Sequence, residues 1–258
     1  MLGQNKNLPK EYLDDVLVRL AHHSSAIEGN TISLADTITI LLYNTVPGSV
    51  PLRELYEIDN HKEAFHYVLN SVDNNEALTI DKMLDIHELL MNKLLHDKGK
   101  FKTGENAIQG ADFLTASARE TPILMKQWVD NLNWQLDNTK DRNQILEFVG
   151  DSHIQIERIH PFSDGNGRTG RLLMNYSLLQ KGLPPLIIEA KNKSEYINIL
   201  AKQDPKAFRE FALPIIDKEQ ERFKRFMNKE INQIKTNDVI HLDSKKKQHH
   251  RRNADLER

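Results

Sequence analysis

Apolar residues in this chain recur every three or four positions almost wherever they cluster, and alternation of period two is scarce. That pattern restricts the fold to packed helices, because only a helix brings residues at this spacing onto one face. Leu13, Val16, Leu17 and Leu20 mark a first helix, running from near Pro9 through Glu28 and stopped by Gly29-Asn30. Ile58, His61, Phe65, Val68 and Val72 mark a second. Ile80, Met83, Leu84, His87, Leu90, Met91 and Leu94 mark a third, ending before Gly99. Thr121 and Pro122 read as the cap and first residue of a helix through Trp128 and Leu132. Asp141 opens another, which carries Ile145, Val149 and Ile156 and must end at His160, because Pro161 disfavours helical geometry before it. Further helices are expected over 168–181, 194–203 and 205–235. Between them, Lys98 to Arg119 has glycines and no helical period, and reads as a loop or short hairpin. The expected fold class is therefore all-α, a helical bundle with one short β-hairpin flap.

The chain has 258 residues, no cysteine and a formal net charge of -2. The absence of cysteine excludes disulfides and thiolate metal sites and fits a reducing, cytoplasmic setting. The charge balance gives no basic surface for nucleic acid. No apolar run approaches the length of a membrane span, and the first ten residues lack the apolar stretch of a signal peptide. The lysine, histidine and arginine runs from His241 to Arg258 have little to bury and read as a mobile, solvated tail.

One stretch carries chemistry: His160-Pro161-Phe162-Ser163-Asp164-Gly165-Asn166-Gly167-Arg168-Thr169-Gly170-Arg171. A helix ends, a loop with two glycines follows, and a new helix begins. Glycines let backbone N–H groups approach a ligand, and the new helix adds unpaired N–H groups and the positive end of its dipole. Together they form a seat for phosphate. Arg168 and Arg171 share a face of that helix at the end where positive charge is unfavourable, a conflict that a bound polyanion removes. Asp164 supplies a carboxylate of the kind that holds magnesium against phosphate oxygens. His160 supplies a group that titrates near neutrality and suits general-base work. Base, metal ligand and phosphate cradle within a dozen residues describe phosphoryl or nucleotidyl transfer.

These residues resemble the Fic signature, His-x-Phe-x-(Asp/Glu)-Gly-Asn-Gly-Arg-x-x-Arg, with every defined position met. The resemblance implies a protein adenylyltransferase, with a Fic core over 54–213, preceded by a regulatory region over 1–53 and followed by a C-terminal helix over 214–240 and the tail over 241–258. By that resemblance His160 takes a proton from the target hydroxyl and Phe162 packs the loop into the core. Asp164 holds Mg2+ (or Mn2+), while Gly165, Asn166 and Gly167 form the anion hole. Arg168 and Arg171 hold the β- and γ-phosphates of ATP, the substrate. Relatives that transfer a phosphoryl group carry lysine at the position of Gly165, so glycine there argues for transfer of AMP. The flap, about 107–114, is expected to hold the target by adding a strand to its edge, with Ile108 and Phe113 as either clamping residues or ordinary packing. Tyr196, and with less support Asp204, are the family positions near adenine.

Ser24-Ser25-Ala26-Ile27-Glu28-Gly29 resembles the Fic inhibitory motif, (Ser/Thr)-x-x-x-Glu-(Gly/Asn), in the group whose inhibitory helix precedes the core. Ser24 and Glu28 lie four apart, on one helical face. The resemblance implies that Glu28 pairs with Arg171 and takes the seat of the γ-phosphate; glutamates at this position also assist AMP removal in some relatives. The expected partners are a target protein, this chain itself as a substrate, and a second copy in a homodimer, with no membrane or nucleic acid. Two other readings stay open: the same site removing AMP from a modified protein, and a catalytically silent nucleotide sensor. Of the remaining histidines, His87 reads as a core residue and His153, two turns before His160, as a support for the loop. No zinc-binding spacing is present.

Overall fold

The computed structural model describes residues 8–108 and 113–256, with side-chain surroundings described as far as 232. Among the described residues there is no strand, and nine α-helices account for the fold. The first three are α1 (Lys10–Ile27), α2 (Leu34–Tyr43) and α3 (Leu52–Asp73). Next come α4 (Ile80–Leu90), α5 (Thr121–Asp137) and α6 (Arg142–Ile159). The last three are α7 (Asn166–Gln180), α8 (Lys193–Lys202) and α9 (Pro205–Leu256).

α7 lies at the centre. Its residues from Arg168 through Leu179 are all buried, as expected of a helix packed on every side rather than on one stripe. α1, α3, α4 and α6 surround it, and α5 and α9 close the outer face of α6. The polar residues that α7 takes inside are satisfied by the chain. Asn175 donates to the carbonyls of Arg171 and Leu186 and accepts from the Leu186 N–H, which spares it the cost of an unpaired amide in the core.

Local chemistry sets the helix ends. Asp141 opens α6 as anticipated, accepting from the Gln144 N–H, and Thr79, not anticipated from the sequence, caps α4 through the Lys82 N–H. The structure differs from the sequence reading at four places. α2 was not anticipated: its apolar set is short, and what fixes it is the Ser33 cap on the Asp36 N–H together with burial of Ile40 and Leu41 against α1 and α3. Thr121 is not a cap but the first residue of α5, with Glu120 before it, and its hydroxyl donates to the Ser117 carbonyl. α4 ends at Leu90, so Leu94 packs from a turn. The backbone of 241–256, expected as a separate tail, continues α9.

α1 is anchored at mid-length to α9. Arg19 donates to Asp15 and to Glu219, and Arg222 pairs with the same Asp15. This cluster, with Tyr12 packed edge-on against Phe223, ties α1 to α9, while the last turn of α1 is held on α3 by Ser25 Oγ donating to the Glu57 carbonyl.

Candidate active site

The site forms where α6 stops and α7 starts. His160 ends α6 in the left-handed region, φ 52°, and its N–H still closes the helix on the Ile156 carbonyl at 2.9 Å. Pro161 makes that stop obligatory. The His160 Nδ1 lies 3.2 Å from the Glu157 carbonyl. A carbonyl only accepts, so Nδ1 carries the proton and Nε2 keeps its lone pair. Burial pushes the His160 pKa below its ordinary value, and the nearby Lys102 charge adds to this, against the opposing pull of the Glu157 carbonyl. A neutral imidazole with a free Nε2 can accept a proton at neutral pH.

The loop after it is held from three sides. The Phe162 ring, 0% exposed, stacks on the His87 ring at 3.7 Å and 7°. The Gly99 N–H donates to His87 Nδ1 at 2.9 Å, so His87 Nε2 carries the proton and donates to the Asp164 carbonyl at 3.0 Å. Burial lowers the His87 pKa to about 4, which keeps this neutral tautomer in place. Inside the loop, the Asn166 amide accepts from the Phe162 N–H and donates to the Phe162 carbonyl, both at 2.8 Å. From outside, Asn106 donates to the carbonyls of His160 and Phe162. Buried Lys102 donates to Asn106 Oδ1 and the Ile159 carbonyl, and its N–H donates to the Pro161 carbonyl. Asn166 thus serves the loop with its side chain. At the start of α7 the N–H groups of Asn166, Gly167 and Arg168 have no carbonyl one turn back to receive them.

Gly165 has φ +79°, and a Cβ there would collide with Met91. The left-handed turn and the close packing both require glycine. Asp164 accepts from the Gly165 N–H through Oδ1 at 2.6 Å and from Arg53 through Oδ2 at 2.7 Å. Burial raises its pKa, but the Arg53 bond, the Arg168 charge and the Gly165 N–H together hold it below the usual carboxylate value.

Arg168 is 3% exposed, and its Nε and Nη1 are buried with no hydrogen-bond partner. The nearest carboxylates, on Glu57 and Asp164, stand 3.7 Å away. A guanidinium stays protonated under all ordinary conditions, and a buried, incompletely bonded one is costly. An anion with several oxygens at the α7 N-terminus would satisfy it. Arg171, also 3% exposed, has partners on Nε and Nη2 instead. Its Nε donates to Ser24 Oγ at 3.0 Å, and its Nη2 donates to the Ser24 carbonyl at 2.8 Å and to Glu28 Oε1 at 2.6 Å. Burial works against charge on both partners, and their mutual attraction outweighs it: Glu28 is lowered and Arg171 raised from their ordinary values. Glu28 reaches so far over the start of α7 that a Cβ on Gly167 would collide with its Oε1.

Residues 77–178 match the Fic/DOC family. The chain carries a Fic domain. It is 31% identical over 194 residues to the protein adenylyltransferase Fic of Nematostella vectensis, covering 74% of this chain and 44% of that protein. It therefore spans less than half the length of that curated relative. Among solved structures it is similar to a Fic domain-containing signaling protein from Bacteroides thetaiotaomicron. That likeness has a TM-score of 0.70 and 26% identity, over 86% of this chain and 90% of the other. It is also similar to a Fic family protein from Desulfovibrio desulfuricans, with a TM-score of 0.67 and 27% identity, over 88% and 69% of the two chains.

The structure brings His160, Asp164, Gly165, Asn166, Gly167, Arg168 and Arg171 of the matched region together with Ser24 and Glu28, which precede it. Tyr196, expected near adenine, lies on α8. It is fully buried, with its hydroxyl 2.6 Å from His153 Nε2 and its ring stacked on that histidine. Its electrostatic neighbours include Arg171, Glu157 and Glu28. His153 accordingly supports α7 and Tyr196 rather than the loop; a Cβ on Gly170 would press on its ring. Asp204 is exposed and caps α9 by accepting from the N–H groups of Lys206 and Ala207. Ile108 and Phe113 are half-buried, and the Arg158 guanidinium lies 3.7 Å above the Phe113 ring. The tip of the expected hairpin, 109–112, lies outside the described residues.

The sequence reading missed Arg53, Asn106 and Lys102, which touch the loop, and Glu57, which stands 3.7 Å from Arg168. Arg53 and Glu57 are four apart on α3, a spacing that signals only a helical ion pair. Asn106 and Lys102 sit in irregular chain, where spacing says nothing of direction. Among the described residues no three histidine, cysteine or carboxylate side chains cluster as a metal cage. Asp164 alone still fits a divalent cation completed by phosphate oxygens, since one carboxylate beside an oxyanion seat is the donor set magnesium uses. Among the described residues no helix is long and apolar enough to cross a membrane.

Proposed function

We propose that this chain is a protein adenylyltransferase that moves AMP from Mg-ATP to a Tyr, Thr or Ser hydroxyl of a protein, and that Glu28 holds it inactive. The observation that carries this reading is the asymmetry of the two arginines. Arg168 is buried with free donors, while Arg171 beside it is occupied by a carboxylate from another helix. One anion seat stands open, and its neighbour is filled by a residue that an anion could displace.

The chemistry follows from the groups present. His160 Nε2 accepts the proton of the attacking hydroxyl. The oxygen forms a bond to the α-phosphorus as the bond to the bridging oxygen of pyrophosphate breaks, and pyrophosphate leaves with that electron pair. The Asn166, Gly167 and Arg168 N–H groups and the Arg168 guanidinium face the phosphate oxygens, where fixed donors stabilise developing charge. Asp164 would hold the magnesium, which neutralises charge on the phosphates. With Glu28 on Arg171, the terminal phosphate finds its seat taken, and the nucleotide cannot settle with its α-phosphorus in line with the target oxygen. The flap, with Ile108 and Phe113, would present the target hydroxyl to His160.

The test uses the chain, Glu28→Gly and Glu28→Gly/His160→Ala, with Mg2+ and ATP labelled at the α- or γ-phosphate. Label from the α-phosphate alone, strong in Glu28→Gly and lost with His160→Ala, supports transfer of AMP onto the chain itself. Label from the γ-phosphate overturns it. No label from either, but release of AMP from a modified protein, would favour AMP removal at the same site.

A further inference from the structure

We infer that Arg53 is the resting cation of Asp164, and that a divalent metal reaches this carboxylate by exchanging with it. The inference rests on the reading of Asp164 as the metal-holding residue. Asp164 has two oxygens with different fates. Oδ1 is tied to the Gly165 N–H within the loop, and the Asp164 carbonyl is tied to His87. Neither contact can yield without unmaking the loop. Oδ2 is the remaining oxygen, and its partner is Arg53 Nη2 at 2.7 Å. A guanidinium there leaves no room for a metal ion on the same oxygen, and the two cations would repel each other at that distance.

Arg53 can let go. Its side chain is 59% exposed, and it begins α3 rather than lying within the core. Its Nε already donates to Glu57 Oε1 at 3.1 Å, so rotation of its tip away from Asp164 keeps one carboxylate partner. Glu57 itself is fixed: it is buried, and its Oε2 accepts from Asn30 at 3.0 Å. Arg168 stands 3.7 Å from both Glu57 and Asp164, so one cation on Asp164 besides Arg168 is tolerable and a third is not. Asn30 lies two residues beyond Glu28 and also donates to the Glu54 carbonyl. Arg53 is thereby seated by the same turn of chain that presents the inhibitory glutamate.

The exchange is measured by titrating Mn2+ into the full chain with a non-hydrolysable ATP analogue, following free Mn2+ by its electron paramagnetic resonance signal. Wild type, Arg53→Ala, Arg53→Gln and Asp164→Asn are compared. Both Arg53 variants are expected to bind Mn2+ about two- to fivefold more tightly, the span of a largely exposed ion pair. The difference from wild type should shrink at high salt, because an exposed pair is screened. Asp164→Asn should weaken binding at least about tenfold. Unchanged or weaker Mn2+ binding in both Arg53 variants, with Asp164→Asn still weak, overturns the exchange and leaves Asp164 as the metal residue. Asp164→Asn without effect overturns both.

Discussion

Replacing Glu28 with glycine removes the carboxylate from Arg171 and should raise nucleotide affinity and transfer together. The Oε1–Nη2 contact is 2.6 Å, and Arg171 is 3% exposed, but the Glu28 side chain is 42% exposed. Solvent on one partner lowers the worth of the pair from that of a fully buried one to about 1.5–3 kcal/mol, the range of a charged hydrogen bond. ATP must displace this contact to seat its terminal phosphate on Arg171. Its removal should therefore tighten ATP binding by about ten- to a hundredfold at 25 °C. The same change leaves Arg171 without its counter-charge in the empty protein, so the variant should melt lower than wild type without nucleotide and recover most of the difference with saturating ATP. Glu28→Gln keeps an acceptor and loses the charge, and should fall between. Calorimetric titration of ATP into the three proteins, paired with thermal melts, reads both effects. ATP affinity equal in wild type and Glu28→Gly, with no gain in labelling from α-phosphate, would falsify the competition between Glu28 and phosphate.

Other perturbations separate binding from chemistry and from folding. His160→Ala in the Glu28→Gly background should bind ATP within about threefold of its parent and lose at least about a hundredfold in transfer, the size of a general-base contribution; loss of binding instead would make His160 a structural residue. Because the His160 pKa lies below its ordinary value, the base is still unprotonated where a free histidine is half charged. Transfer should thus persist below pH 6.5 and fall only as pH drops through the depressed value; a rate already halved at pH 6.5 would contradict this. Arg168→Met should cost at least about tenfold in ATP affinity while leaving the empty protein as stable or more so, since the arginine it replaces is buried with unpaired donors; a large fall in melting temperature would show that Arg168 holds the fold. Gly165→Ala should destabilise by about 1–3 kcal/mol in denaturant titration, from a positive φ and a collision with Met91, and a neutral effect would mean that the loop relaxes freely.

The sequence by itself determined the helical class, the positions of most helices and the loop proposed to carry the chemistry. These are consequences of local rules. Apolar spacing of three and four selects a face, Asp141 and Thr79 satisfy orphan N–H groups, and Pro161 forces α6 to stop where His160 is needed. The resemblance added roles for residues contiguous in the chain, whose mutual geometry a short loop nearly fixes. What the tertiary structure decided are the meetings across distance. Ser24 and Glu28 reach Arg171 because α1 packs against α3 and α7, with Arg19, Asp15, Glu219 and Arg222 tying it to α9 as well. Arg53 reaches Asp164, and Asn106 and Lys102 reach the loop backbone, through packing that no spacing encodes. Tyr196 shows the same limit from the other side. Its place in the chain gave no sign that its hydroxyl meets the His153 ring inside the core. Periodicity says that a residue is buried or exposed, and it says little about what the residue is buried against, because that depends on the summed packing of helices far apart in the chain.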